Sequence, residues 1–274
     1  MPDLADHIHL RRAGADGPLV VCVHCSASHS GQYKPYFDAL SGRYRMVAPD
    51  LHGYGRSGAL PRDGQPWFVH DAGILRALVA AEAPAKVHLV GHSLGGATVF
   101  YAARDMADRV ASITMIEPVL FPLLAEAGDP LAADGEHSAA VIAGWLRLGR
   151  PERAAASFVE FWSGPGSWDA LNGDTQGYVT QVIDRVGDDW AGMLGGLPGQ
   201  ARIADCAALN SVPVQLIRGT ATRPSAAAIT ARLQAAMPWA TVTDVEGADH
   251  MAAVTQPVEF IDRIGAFLAA HAGP

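Results

Sequence analysis

Three cysteines in 274 residues, Cys22, Cys25 and Cys206, are too few and too irregularly spaced for a disulfide framework, and their odd number leaves a thiol over. Cys22 and Cys25 share the C-x-x-C spacing of redox sites, but Cys22 falls inside an apolar strand pattern and reads as core. Charge is sparse as well. Only 18% of residues are charged, with no like-charge block or low-complexity tract of the kind that keeps a chain disordered. Positive charge is scarcest: 20 Lys and Arg stand against 28 Asp and Glu, a net charge of -8. Those basic residues are scattered, so phosphate backbones would be repelled and a nucleic-acid partner is excluded. No segment approaches the ~20 continuous apolar residues of a membrane span. The acidic start Met1–Asp6 has no apolar run behind it, so no signal peptide is expected and a reducing cytoplasm is the expected location. Against these shortages, 49% of the residues are hydrophobic, and the length suits one large α/β domain, with or without an insertion.

Strand and helix signals alternate from Pro18 onward. Leu19–Val23 is an unbroken apolar run of the kind buried on both faces of a parallel sheet. A helical pattern over 33–40 leads to a strand at 44–49, then to the glycine-punctuated loop Asp50–Gly58 and a helix from Val69 to Ala83 stopped by Pro84. Strands at 87–90 and 110–116 follow, with a helix between them; His7–Arg12 is a weaker candidate for a first strand. Such alternation means a mostly parallel sheet with helices on both faces. The rhythm breaks at Val119. Up to Asn210 only helical stretches are legible, at 139–148, 153–162 and 177–193, which reads as a helical insertion. Of its large aromatics, Phe121, Trp145, Phe158, Phe161, Trp162, Trp168 and Trp190, most are expected in its own core and two to four against a substrate. The core then resumes with strands at 212–219 and 241–246 and helices at 225–237 and 257–270. The expected division is 1–118 and 211–274 for the two parts of the core, with 119–210 as the insertion.

The stretch Gly91-His92-Ser93-Leu94-Gly95 sits between an apolar strand and a helix. In a G-x-S-x-G turn this tight, side chains two before and two after the serine would collide, which is why glycines stand there. Ser93 is thereby exposed at the apex as a candidate nucleophile. The N-H of Leu94, at the start of the helix, can face an oxyanion.

Four motifs fall in the order of the α/β-hydrolase family, and the chain resembles its cap-bearing, serine-nucleophile branch over nearly its whole length. They are His24-Cys25-Ser26, the D-x-x-G-x-G-x-S loop from Asp50 to Ser57, the Ser93 turn, and Gly247-Ala248-Asp249-His250. The resemblance implies an α/β-hydrolase fold with a helical cap inserted after the sixth strand. It implies His250 as the base for Ser93, and Ser26 as the second backbone donor beside Leu94. Because a backbone N-H survives side-chain replacement, changing Ser26 is expected to test little. His24, His52 and His92 occupy loop-shaping positions of the family, and the Asp50–Ser57 loop reads as structural. The chain departs from the pattern twice. Cys25 replaces the usual glycine, and no Asp or Glu occurs from Gly219 through Thr243, where most of the family carries its acid and where Thr222 now stands. Glu117, ending the strand beside that of Ser93, is the preferred substitute, similar in placement to the acid of haloalkane dehalogenases and some lipases. Asp249 and Asp205 are the alternatives.

A Ser–His–acid set implies hydrolysis through an acyl-enzyme, with no metal or organic cofactor required. A small to medium, largely apolar ester or lactone is the expected substrate, and a monomer or homodimer the expected form. Cleavage of carbon–carbon bonds in ring-cleavage products, or ligand binding without turnover, are the other readings.

Overall fold

A computed structural model describes residues 7–272 of the chain, so the reading of Met1–Asp6 lies outside the described residues. The continuous apolar runs become the centre of a seven-stranded sheet: β1 (Leu10–Ala13), β2 (Leu19–Val23), β3 (Arg45–Pro49), β4 (Val87–His92), β5 (Val110–Ile116), β6 (Val214–Gly219) and β7 (Thr241–Val245). Their spatial order is β1-β3-β2-β4-β5-β6-β7, and β1 alone runs antiparallel, against β3. Every residue of β2 and β4 is buried, as expected of strands covered on both faces.

The helices follow the expected alternation: α1 (Lys34–Leu40), α2 (Trp67–Glu82) and α3 (Leu94–Asp105) in the first half of the core. The stretch between β5 and β6 is helical, with α4 (Phe121–Glu126), α5 (Ala132–Arg147), α6 (Pro151–Ser163), α7 (Ser167–Ala170) and α8 (Gly173–Met193). After β6 come α9 (Pro224–Ala236), α10 (Ala252–Thr255) and α11 (Pro257–Ala270). One face of the sheet packs on α2, α3 and the helical insert through residues such as Leu75, Leu89 and Phe100. The other face packs on α1 and α11 through Phe37, Phe260 and Ile264. Each fully buried side chain of this size stabilises the fold by roughly 1.5–3 kcal/mol.

Two expectations shift. The insert follows the fifth described strand where the family's count placed it after a sixth, because the described chain opens with a single edge strand before β2. The first strand lies at Leu10–Ala13, paired to β3, a little later than His7–Arg12. No helix among the described residues is long and apolar enough to cross a membrane.

The sheet order locates the site. From β2 the chain crosses to β3 on one side, and from β4 it proceeds through β5, β6 and β7 on the other. The crevice at the C-terminal ends of β2 and β4 is therefore the point where connections diverge, which in open α/β sheets is where ligands bind. The loop after β2 begins at His24, and the turn after β4 carries Ser93.

Candidate active site

Ser93 has φ 57° and ψ -115°, a conformation that a non-glycine residue holds only when its surroundings enforce it. They do so by crowding. A Cβ at Gly91 would overlap the carbonyl of Gly95, and one at Gly95 would overlap the carbonyl of Val23, so β4, α3 and β2 meet at van der Waals distance only because both positions are bare. The turn is tied to its neighbour strand by the Ser93 N-H, which donates to the Ile116 carbonyl at 2.9 Å.

The structure brings Ser93, His250 and Glu117 together. His250 Nε2 lies 3.0 Å from Ser93 Oγ, and His250 Nδ1 lies 2.7 Å from Glu117 Oε2. Glu117 follows β5 directly, at φ 44°. Its carboxylate also accepts from the Gly219 N-H at 2.8 Å and from the Thr222 hydroxyl at 2.6 Å. Burial alone would raise this carboxyl, but the bonds from His250, Thr222 and Gly219 outweigh it and hold the group below its ordinary value. An ionised carboxylate only accepts, so Nδ1 carries the imidazole proton and Nε2 is free to accept from the Ser93 hydroxyl. The gap after Gly219 thus has a physical sequel. Thr222, standing where the family's acid is usual, is a donor to the carboxylate of Glu117.

Of the three histidines read as loop-shaping, His24 and His92 bond to backbone or loop groups, whereas the buried His52 Nδ1 has no partner among the described residues. His24 Nδ1 donates to the Cys25 carbonyl at 2.8 Å while Nε2 accepts from the Leu51 N-H at 2.9 Å. His92 donates from Nε2 to the His250 carbonyl at 2.8 Å and faces the Gln32 amide at 3.2 Å through Nδ1. Both rings are buried and neutral, His24 pushed down to about 4 and His92 to about 3 by desolvation. Asp50 accepts from the N-H groups of Ser30 and Arg56 at 2.6 and 2.8 Å, which makes its loop a scaffold. The alternative acids are occupied elsewhere, Asp249 by the Met251 N-H at 2.9 Å and Asp205 by Arg104 at 3.1 Å.

A cavity of about 510 Å³ opens over Ser93 and His250. Of the seven aromatics of the insert, Phe158 and Trp162 line it, within the expected two to four. Trp162 does more than line: its ring stacks on the His250 imidazole with centroids 3.8 Å apart and planes 17° from parallel. Nothing in the sequence marked Trp162 out from its neighbours, since the contact spans separate elements.

The loop after β2 forms the opposite wall with Cys25 and Ser26. Cys25, where a glycine is usual, is buried, its N-H donates to Gln32 Oε1 at 3.1 Å, and burial pushes its thiol up to about 12. No hydrogen bond from the N-H groups of Ser26 and Leu94 is formed among the described residues. No group of three or more His, Cys, Asp or Glu side chains among the described residues is placed to hold a metal ion.

Comparison with known proteins adds four findings. The model of a family described as "Alpha/beta hydrolase family" matches residues 20–263. A 2-hydroxy-6-oxo-6-phenylhexa-2,4-dienoate hydrolase of Burkholderia cepacia is 30% identical over 115 residues, 40% of this chain and 40% of that protein. A magnesium-chelatase 30 kDa subunit of Rhodobacter capsulatus is 29% identical over 245 residues, 85% of this chain and 81% of that protein. The chain thus spans about 40% of the length of the first curated relatives it matches, although the Rhodobacter protein is matched over most of its length. Among solved structures, the enol-lactonase from Burkholderia xenovorans LB400 superposes with a TM-score of 0.73 at 18% identity, covering 96% of each chain, a likeness of fold.

Proposed function

The chain belongs to the alpha/beta hydrolase family, and on that footing we propose that it is a serine hydrolase cleaving an uncharged, small to medium, largely apolar ester or lactone. The observation that carries this reading is the unbroken hydrogen-bonded line from Glu117 through His250 to Ser93, opening onto a cavity that Ser26 also lines.

In the proposed reaction His250 Nε2 takes the Ser93 proton as Oγ bonds to the substrate carbonyl carbon. The tetrahedral oxyanion is met by the N-H groups of Ser26 and Leu94, donors of a kind worth about 10²–10³ each in rate. Collapse breaks the bond to the leaving oxygen, which receives the proton from His250. A water then gives a proton to Nε2 and its oxygen attacks the acyl carbon, and the second collapse frees the acid and returns the proton to Ser93. Glu117 stays ionised throughout and stabilises the imidazolium.

The charge of the cavity separates the ester reading from carbon–carbon bond cleavage. The Burkholderia cepacia relative is named for a dienoate, an anionic substrate. No Lys or Arg lines the cavity here, and Asp174 does. Arg223, close to the insert's aromatics, is spent on the Phe161 carbonyl at 2.8 Å and Asp134 at 3.0 Å. A carboxylate bound without a partner loses its hydration uncompensated, so a neutral acyl group is preferred.

Turnover of p-nitrophenyl acetate and butyrate, together with covalent labelling by a fluorophosphonate, tests the proposal. Both should vanish in Ser93→Ala, with turnover falling by about 10⁶ as in other serine triads. Turnover retained in that variant refutes the nucleophile, and binding of the esters by the native protein without turnover would make it a ligand-binding module.

A further inference from the structure

The loop that carries the Ser26 N-H is not self-supporting. Ala27, its next residue, sits at φ 52°, in the left-handed region that an alanine adopts at a cost. Two of the contacts that hold it there come from the insert. Helix α8 reaches the loop at two points on either side of Ala27. Asp189 accepts from the Ser26 hydroxyl at 2.8 Å, and the Tyr178 hydroxyl donates to the Ser28 carbonyl at 2.8 Å while accepting from the Gly55 N-H at 3.0 Å.

Asp189 is itself immobilised. It is fully buried, accepts from the Tyr54 hydroxyl and pairs with Arg185 one turn earlier on α8. Arg185 also pairs with buried Asp71 on α2 at 2.6 Å and donates to the His52 carbonyl at 2.8 Å. The Asp189 carbonyl accepts from the Trp67 indole at 3.0 Å. One buried guanidinium thus sits between two carboxylates, a cluster that is costly to assemble and that fixes the last turns of α8 to α2 and to the scaffold loop. The other end of α8 lines the cavity with Thr175, Tyr178 and Val179.

We propose that α8 clamps the oxyanion loop, with Asp189 and Tyr178 as positioning residues that aim the Ser26 N-H at the reacting carbonyl oxygen. The inference rests on the oxyanion role given to Ser26 above, and it corrects the expectation that the Ser26 side chain is uninformative. Its hydroxyl is the handle by which the insert holds the donor. A clamp of this kind acts in the transition state, where the oxyanion exists, more than in substrate binding.

Ser26→Ala and Tyr178→Phe release one point each without emptying the buried charge cluster, and both variants keep the backbone donor. Each is expected to lower kcat on p-nitrophenyl butyrate about five- to twentyfold with KM within about twofold. The double variant should lose more than the product of the two, because only then does α8 hold the loop on neither side of Ala27. Ser26→Thr should recover most of the kcat lost in Ser26→Ala. The inhibition constant of an aryl boronic acid, whose Ser93 adduct carries a tetrahedral oxyanion, should rise by the factor by which kcat/KM falls. Native kcat in the double variant, or a loss confined to KM, overturns the clamp while leaving the reaction at Ser93 standing. Full activity in Ser93→Ala would instead remove the reading beneath it.

Discussion

Replacing Glu117 by Gln changes almost no volume, and its effect can be worked out from the donors around it. The Gly219 N-H points at Oε1 and cannot become an acceptor, so the amide oxygen of Gln must take that place. The amide nitrogen then falls where Oε2 was, facing the Thr222 hydroxyl and His250 Nδ1. Thr222 can rotate to accept. His250 cannot, unless its proton moves to Nε2, and an imidazole protonated there donates to Ser93 and is unable to take its proton. Restoring the active tautomer forgoes a charge-assisted bond of about 1.5–3 kcal/mol and leaves a buried donor unmatched at about 1–3 kcal/mol. Together these amount to about 2.5–6 kcal/mol, or a fall in kcat of about 10²–10⁴ at 1.36 kcal/mol per factor of ten. Triads lacking their acid lose up to about 10⁴ in other folds, at the top of that range. The assay is steady-state hydrolysis of p-nitrophenyl butyrate, with thermal unfolding recorded on the same samples. A variant that melts like the native protein and turns over within tenfold of it would refute the assignment of Glu117 and the tautomer argument alike.

Two further outcomes follow from the same site. Thr222→Val removes a 2.6 Å bond to a charged oxygen, so the protein should lose about 1.5–3 kcal/mol of stability in denaturant titration. In the Glu117→Gln background, Thr222→Asp should return at least about tenfold in kcat by placing a carboxylate beside Nδ1, and no recovery would show that the position after β6 has lost its reach to His250. The buried histidines set the acid limit. Folding lowers His24 to about 4 and His92 to about 3 from 6.5. Below pH 6.5 the unfolded chain therefore binds protons that the native state refuses, and stability present above 6.5 is lost as pH falls toward 4. Each ring accounts for about 3 kcal/mol at pH 4 on the scale of 1.36 kcal/mol per unit. The depressed carboxyl of Glu117 acts in the same direction at lower pH, its share being lost as pH falls through its folded value. A melting temperature that stays level from pH 6.5 to 4 would contradict the neutral assignment of both histidines.

What was legible in the sequence was whatever local rules determine. The apolar runs of β2 and β4, the glycines around Ser93 and the loop ahead of His250 each carry their meaning within a few residues. Glu117 was legible through an absence elsewhere, the lack of any acid from Gly219 through Thr243. Helix starts in the insert were harder. α5 begins at Ala132, before the 139–148 stretch, because Asp134, Gly135 and Glu136 interrupt its apolar pattern, although Gly135 packs tightly on Phe121. α8 begins at Gly173, before 177, capped by Asn172, whose side chain accepts from the Thr175 N-H at 2.9 Å; that asparagine was the available signal. α4 and α7 are too short for periodicity to reveal. The contacts that join insert to core, Asp189 to Ser26 and Trp162 to His250, span 163 and 88 positions. No spacing rule reaches across such separations, so these became visible only in three dimensions.

The indole of Trp162 lies flat on one face of the His250 ring, Glu117 holds one edge through Nδ1, and His92 holds the backbone behind it. The edge bearing Nε2 faces Ser93. In the proposed reaction the departing alcohol and the incoming water must therefore exchange protons at that same edge, one after the other. On the proposed mechanism, an added alcohol that lingers there would compete with water for the acyl group, so the balance between acyl transfer and hydrolysis would follow how quickly the leaving alcohol clears Nε2.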